Sequence, residues 1–278
     1  MQTLQVNKMT DAEYFALKAI SASQIKQYDR GAYWFWKSTP FNPNREPDKQ
    51  TDALAFGKLC HAMLLEPNTL SESFFCGDFG KSRNNKKYDE MCAEHPDLTV
   101  VSPDEWRHAM MMIEKLKQHH LASLIIDGAT AEIPYIWTDK DTGLLCKQKT
   151  DAVKRTKNGL IIIDYKTSSD IEGILNWPQK LQYPLQDDFY CRGIKEKYGE
   201  EPAEFVFIIQ SNKEGEEDVI AVANVEFETG QVAHSIVTHH LFEIKEKLTA
   251  WNETHDASIW AAYPSRVEMR YSNWYMER

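Results

Sequence analysis

Three residues in the middle of the chain, Asp151, Asp164 and Lys166, have the types and spacing to do chemistry. Asn158-Gly159 is a hairpin signal, and a two-residue turn there sets residue 157 opposite residue 160. This register carries Asp151 to Lys166 and Val153 to Asp164. Side chains alternate along a strand, so both acids and the lysine project from one face of the sheet. Opposed residues lie about 5 Å apart and diagonal ones about 7 Å, close enough for two carboxylates to share a divalent ion. Asp164 follows directly on the apolar run 160–163. An unpaired acid beside such a run is costly to bury, and a bound cation removes that cost. Hard oxygen donors in an open, hydrated shell suit Mg²⁺ or Mn²⁺, which act as Lewis acids on phosphate and lower the pKa of bound water. Lys166 would then orient or deprotonate the attacking water and offset charge on a phosphorane. Taken alone, the three residues also fit a plainer arrangement, a surface ion pair Asp151–Lys166 on an ordinary hairpin.

Periodicity supplies the elements that position these residues. Two helices open the chain, the first capped by Thr10 with Glu13 three residues on, the second starting near Ser21 or Ser23. Ser23 and Lys26 have the spacing of a Ser-x-x-Lys nucleophile, but its companion motifs are missing, and we read them as a cap and a surface lysine. A polar stretch over 39–52 leads into ALAFGKLCHAMLLEP, a helix that Pro67 ends and that carries Gly57 and His61 on one face. Residues 71–97 are polar and basic, and FGKSRNNKKYDE reads as an exposed loop or a short, mobile helix start. Ser102, Pro103 and Glu105 then form the cap, first turn and capping box of a helix whose apolar face runs through Met112, Leu116 and Leu124.

From Ala131 the period becomes that of strands: AEIPYIWT, LLCKQKTDAV and LIIIDYKT predict a three-stranded meander. A helix over about 181–198, strands in EFVFIIQ and DVIAVANVEF, and a long helix over about 229–251 follow. Pro184 should kink the first of these helices or delay its start. These elements predict an α+β (α/β) fold in one domain over 1–278, with 1–52 as an N-terminal helical addition to a core over 53–278.

Asp151 followed by Asp164-Tyr165-Lys166 after an apolar strand resembles the PD-(D/E)XK nuclease superfamily. Within it the chain looks most like the RecE-type (exonuclease VIII-like) enzymes, related to lambda-type exonucleases and RecB-type nuclease domains. ISASQIKQYDRGAYWF, FGKLCHAMLLEP, GLLCKQKTDAV, IIIDYKTSSD and the Gln-x-x-x-Tyr of QDDFY carry the resemblance over most of the chain. It implies a restriction-endonuclease-like core, a central mixed sheet flanked by helices. It implies that His61, Asp151, Asp164 and the backbone carbonyl of Tyr165 hold Mg²⁺, with Mn²⁺ able to substitute. Lys166 matches the catalytic lysine, Gln186 and Tyr190 match the motif that supports the site and the DNA end, and Glu132 matches an additional acid of some relatives. The implied activity is degradation of the 5′-ended strand of linear double-stranded DNA, leaving 3′ single strands for recombination. A ring-shaped homo-oligomer and a RecT-like single-strand annealing protein are the implied partners. Iron–sulfur relatives carry three cysteines after the nuclease core, and here none follows Cys191, so no cluster is expected.

A formal charge of −10 over 278 residues pulls against a nucleic-acid ligand, so its distribution matters more than its sum. Basic residues gather at Lys81, Arg83, Lys86 and Lys87, our expected phosphate contacts, and again at Lys147, Lys149, Lys154, Arg155 and Lys157. Five scattered cysteines, no apolar run long enough for a membrane span and no basic-then-apolar start predict a cytoplasmic protein with free thiols. The paired histidines His119-His120 and His239-His240 lack matching acidic motifs and are expected to be solvated helix positions. Three other readings stay open: a RecB- or Cas4-like nuclease on single-stranded or flap DNA, an idle DNA-end-binding or assembly subunit, and an acidic structural protein with a chance motif.

Overall fold

The structure, a computed structural model, describes residues 9, 11–46, 51–80, 82–131 and 134–262. In chain order the first helices are α1 (Asp11–Ala16), α2 (Ala22–Arg30), α3 (Ala32–Ser38) and α4 (Asp52–Leu65). The polar stretch read as a loop or a short helix start holds α5 (Leu70–Ser73), β1 (Phe74–Cys76) and α6 (Lys86–Glu94), the last of them starting within it, and β2 (Thr99–Val101) follows. Next are α7 (Pro103–Gln118), α8 (His120–Ile126), β3 (Thr130–Ala131), β4 (Tyr135–Thr138), β5 (Leu145–Gln148), β6 (Ala152–Thr156) and β7 (Gly159–Ser168). The chain continues through α9 (Ile171–Asn176), α10 (Tyr183–Tyr198), β8 (Glu204–Ser211), β9 (Ile220–Ala223) and α11 (Phe227–Thr254). Among the described residues no helix is long and apolar enough to cross a membrane.

The central sheet has the order β3-β6-β7-β8-β9, with β7 and β8 parallel and the other pairs antiparallel. It is the mixed sheet flanked by helices that the resemblance implies. Strands β7 and β8 carry unbroken apolar runs, over 160–163 and 205–209, because both faces are covered there. Ile163, Tyr165, Val206 and Ile208 pack with Leu59 and Met63 of α4 and Met112 and Leu116 of α7. Leu160, Ile162, Phe205 and Phe207 pack on the other face with Ile174 of α9 and Tyr183 and Ile194 of α10. A further core joins Ile25 of α2 and Phe35 of α3 to Phe189 of α10 and Val237 and Leu241 of α11. Helices α2 and α3 therefore share a core with α10 and α11.

Two expectations about the strands are corrected. The predicted meander is divided: β4 and β5 pair as a separate hairpin, and the break over 149–151 separates β5 from β6. Thr156 pairs with Gly159, so the turn is at 157–158 and Val153 faces Ile162 rather than Asp164. Gly159 joins the strand at φ 123°, and the Thr156 hydroxyl donates to its carbonyl at 2.9 Å, closing the turn one residue early. The resulting shift of two residues preserves the face of every side chain. Continuing the pairing beyond Ala152↔Ile163 sets Asp151 opposite Asp164, not Lys166.

Several helix boundaries follow the sequence signals closely. Ser102 and Glu105 close the capping box of α7, and Ser21 with Gln24 closes that of α2. Gln182 caps α10 in the left-handed region at φ 55°, with Pro184 in the first turn, which accounts for the delayed start. Leu124 is not on the α7 face: that helix ends at Gln118, and Leu124 is exposed on α8. A Cβ at Gly57 would meet Thr167 Oγ1 at 3.6 Å, ordinary contact, so glycine is not sterically required where α4 crosses β7.

Candidate active site

The site forms where β6 leaves β7. Strand β6 begins at Ala152, so beyond Ile163 the strand β7 has no backbone partner on that side. Asp151, just outside β6, fills the place with its side chain: Oδ2 accepts the Tyr165 N–H at 2.7 Å. The same oxygen lies 3.4 Å from His61 Nδ1, which α4 carries one turn beyond Gly57. Asp164 is buried on the α10 face of the sheet. Its Oδ1 accepts from Gln186 Nε2 at 2.6 Å, and its Oδ2 meets the Lys166 ammonium in an ion pair outside hydrogen-bond geometry. The structure thus brings Asp151, Asp164, Lys166, His61 and Gln186 together. Tyr190, one turn after Gln186, sits behind them, its hydroxyl 3.5 Å from the Lys149 carbonyl.

Burial acts on both acids in the same direction, but their partners separate them. For Asp151 burial opposes ionisation, yet the charges of His61 and Lys166 and the Tyr165 N–H outweigh it and hold the carboxyl below its usual range. For Asp164 burial wins: Lys166 only partly offsets it, the charge of Asp151 adds to it, and the carboxyl is raised. Lys166 is pushed up to about 12, because Asp164 and Asp151 overcome its burial. Asp151 likewise overcomes the burial of His61 and raises the imidazole.

The donors fit a hard divalent cation. Asp164 is buried with its Oδ2 against the Lys166 ammonium, and a carboxylate that burial makes hard to ionise is one that a divalent cation would stabilise further. In a strand the N–H and C=O of one residue point to the same neighbour, so the Tyr165 carbonyl faces the Asp151 side as its N–H does. Among the described residues no three His, Cys, Asp or Glu side chains form a closed metal site. Two carboxylates, a carbonyl and water suit an ion that keeps part of its hydration shell.

The expected phosphate contacts are less uniform than their sequence suggests. Glu132 and Lys81 lie outside the described residues. Arg83 is turned inward, 2.8 Å from Glu105 and 3.2 Å from Asp52, and its guanidinium covers the Phe79 ring, so it leaves the set of phosphate contacts. Lys86 and Lys87 are exposed on α6, with Glu90 at 3.2 Å and Asp78 at 3.9 Å. The second basic run is partly consumed by structure: Lys147 donates to the carbonyls of Tyr14 and Leu17 at 2.6 and 2.9 Å, and Lys154 to that of Leu124 at 2.7 Å.

Two histidines expected in solvent are not there. His119 caps α8 by accepting from the Ala122 N–H, and His240 is held 3.0 Å from Asp29 against the Tyr28 ring.

Lys26, read from the sequence as a surface lysine, is instead turned into the site. Its Nζ donates to Gln186 Oε1 at 2.6 Å and lies 5.0 Å from the Tyr183 ring centre. The available signal was its place one helical turn after the buried Ala22 and beside the buried Ile25.

An apolar sheet broken at one strand end by two acids, a lysine and a supporting glutamine is the arrangement of the PD-(D/E)XK fold class. Residues 21–260 match the family described as "PDDEXK-like domain of unknown function (DUF3799)", and the chain belongs to it. Among solved structures, a candidate exonuclease from Eubacterium rectale is 14% identical, with a TM-score of 0.57 over 86% of this chain and 87% of its own. At that identity the likeness speaks for the fold. A second structure, SSO0001, is 15% identical over 62% of this chain and 78% of its own, and its TM-score of 0.31 supports no comparison. No curated protein matches the chain.

Proposed function

We propose that this protein is a divalent-metal-dependent DNA exonuclease of the RecE type, acting on the 5′-ended strand of linear duplex DNA. The observation that carries the reading is the convergence of Asp151, Asp164 and Lys166 at an opening in the sheet, with Gln186 bonded to Asp164. His61, Asp151, Asp164 and the Tyr165 carbonyl would hold the ion, Mg²⁺ in our reading with Mn²⁺ able to substitute, and His61 also lies 3.4 Å from Asp151. When bound, the ion supplies Lewis-acid polarisation of the phosphate and a more acidic water. Lys166, held protonated by the two acids, faces the charge that grows on the phosphate as its bond breaks. Gln186 fixes the orientation of Asp164, and Lys86 and Lys87 extend the contact to phosphates farther along the DNA. A ring-shaped homo-oligomer and a RecT-like annealing partner belong to the same proposal and rest on the resemblance alone, and the cytoplasmic location rests on the sequence features given above.

The test is degradation of linear duplex labelled at either the 5′ or the 3′ end, in Mg²⁺ or EDTA, by wild type and Asp164→Ala. Early release of the 5′ label that needs metal and is lost in the variant supports the proposal. Release of the 3′ label first would reverse the polarity. Absence of cleavage of linear, single-stranded or flap DNA by folded protein would make the chain a DNA-end binder or assembly subunit.

A further inference from the structure

We propose that Lys26 is a positioning residue of the active site, fixing the amide of Gln186 and, through it, the carboxylate of Asp164. This rests on the nuclease reading of the same site. A glutamine amide has a donor end and an acceptor end, and only one of its two orientations serves Asp164. In that orientation Nε2 donates to Asp164 Oδ1 at 2.6 Å and Oε1 faces Lys26 Nζ at 2.6 Å. In its charged form Lys26 has donors alone, so the ammonium takes only the acceptor end of the amide and excludes the flipped form, which fits the 2.6 Å contact of Nζ with Oε1. Without it the amide can rotate and turn Oε1 against the carboxylate, leaving Asp164 free of the bond that aims it.

The helix that carries Lys26 is anchored at both of its neighbours. Ile25 and Tyr28 are buried in the core shared with α10 and α11. Asp29 accepts from Gln182 Nε2 at 2.6 Å and lies 3.0 Å from His240 Nε2. These bonds set Lys26 against Gln186 and stack its ammonium over Tyr183. The placement is unfavourable for a cation: burial and the nearby Lys166, against a smaller pull from Asp164, lower its pKa to about 7. An apolar side chain would fit the same helix face at less cost.

The test compares wild type, Lys26→Met, Lys26→Arg, Gln186→Ala and the Lys26→Met/Gln186→Ala double variant as full chains, after circular dichroism has shown each to be folded. Lys26→Gln replaces Lys26→Met if the latter is unfolded. Three quantities are measured: kcat and KM on linear duplex in Mg²⁺, and Mn²⁺ affinity by electron paramagnetic resonance. For Lys26→Met we expect kcat to fall about 10- to 100-fold at nearly unchanged KM, and Mn²⁺ affinity to fall about tenfold. Lys26→Arg restores part of both. The double variant should be no worse than Gln186→Ala alone, because Lys26 acts through that amide. Multiplicative losses, a rise in KM alone, or unchanged kcat and Mn²⁺ affinity would each overturn the role. A wild type that binds Mn²⁺ but cleaves nothing would sink the nuclease reading, and the Mn²⁺ affinities of the variants would still decide the positioning role.

Discussion

Tyr165 donates its backbone N–H to Oδ2 of Asp151 at 2.7 Å, so a side chain at the end of β6 takes the acceptor place that the backbone of β6 vacates. That bond makes the gap in the sheet and the acidic site one feature. It satisfies a buried N–H, helps keep Asp151 ionised and turns the Tyr165 carbonyl toward the same opening.

Lys166 gives the most direct test of the electrostatics. Held near 12 by Asp164 and Asp151 against its burial, it stays protonated at neutral pH and acts through its charge. Lys166→Met is expected to lower single-turnover cleavage in Mg²⁺ by about 100-fold or more. The loss should be the same from pH 6.5 to pH 8.5, and Mn²⁺ affinity should be retained. A variant that keeps its turnover, or whose loss depends steeply on pH across that range, would contradict the assigned role.

Arg83 and the pair Lys86 and Lys87 lie close in sequence but are expected to report on different properties. Arg83→Met leaves Glu105 without its partner at 2.8 Å and should cost about 1 to 3 kcal/mol in urea unfolding, with the salt dependence of DNA binding unchanged. Lys86→Gln with Lys87→Gln should leave the urea midpoint in place. It should flatten the plot of log affinity against log salt by about one unit of slope per lysine. An unchanged slope would remove this helix from the DNA interface.

Asp187 sets a pH dependence of stability. Burial raises its carboxyl to about 6, the Cys191 thiol pulls the other way by hydrogen bonding, and Asp188 and Asp164 add to the rise. The folded protein therefore holds this proton more tightly than the unfolded chain, where the value is about 3.8. The stabilisation is complete below the unfolded value and is lost as pH rises through about 6. Asp187→Asn is neutral throughout, so its Tm relative to wild type should climb between pH 4 and pH 7 and then level off. A Tm difference that stays flat over this range would show that the carboxyl is not perturbed.

Much of the site is written in local spacing. Period two along β7 puts Asp164 and Lys166 on one face, and because the register moved by two residues rather than one, Asp151 still converges on them. Ser102 with Glu105 marks the start of α7, and Pro184 that of α10, because capping and proline geometry involve only neighbouring residues. The fold class follows from the same signals, since neighbouring strands with unbroken apolar runs need helices on both faces.

The partners of charged side chains were decided by tertiary structure alone. Lys26 and Gln186 are 160 positions apart, Lys147 reaches carbonyls about 130 residues before it, and Arg83 meets Glu105 only because the segment before α6 lies against the start of α7. A flexible cationic side chain reads the same in sequence whether it ends in water or in the protein. Its partner is set by which helices happen to pack beside it, and no local period encodes that choice. The sequence by itself determined the acids, the lysine and the face they share; the packing of α2, α4 and α10 around the end of β6 decided which of them stay charged and what holds them in place.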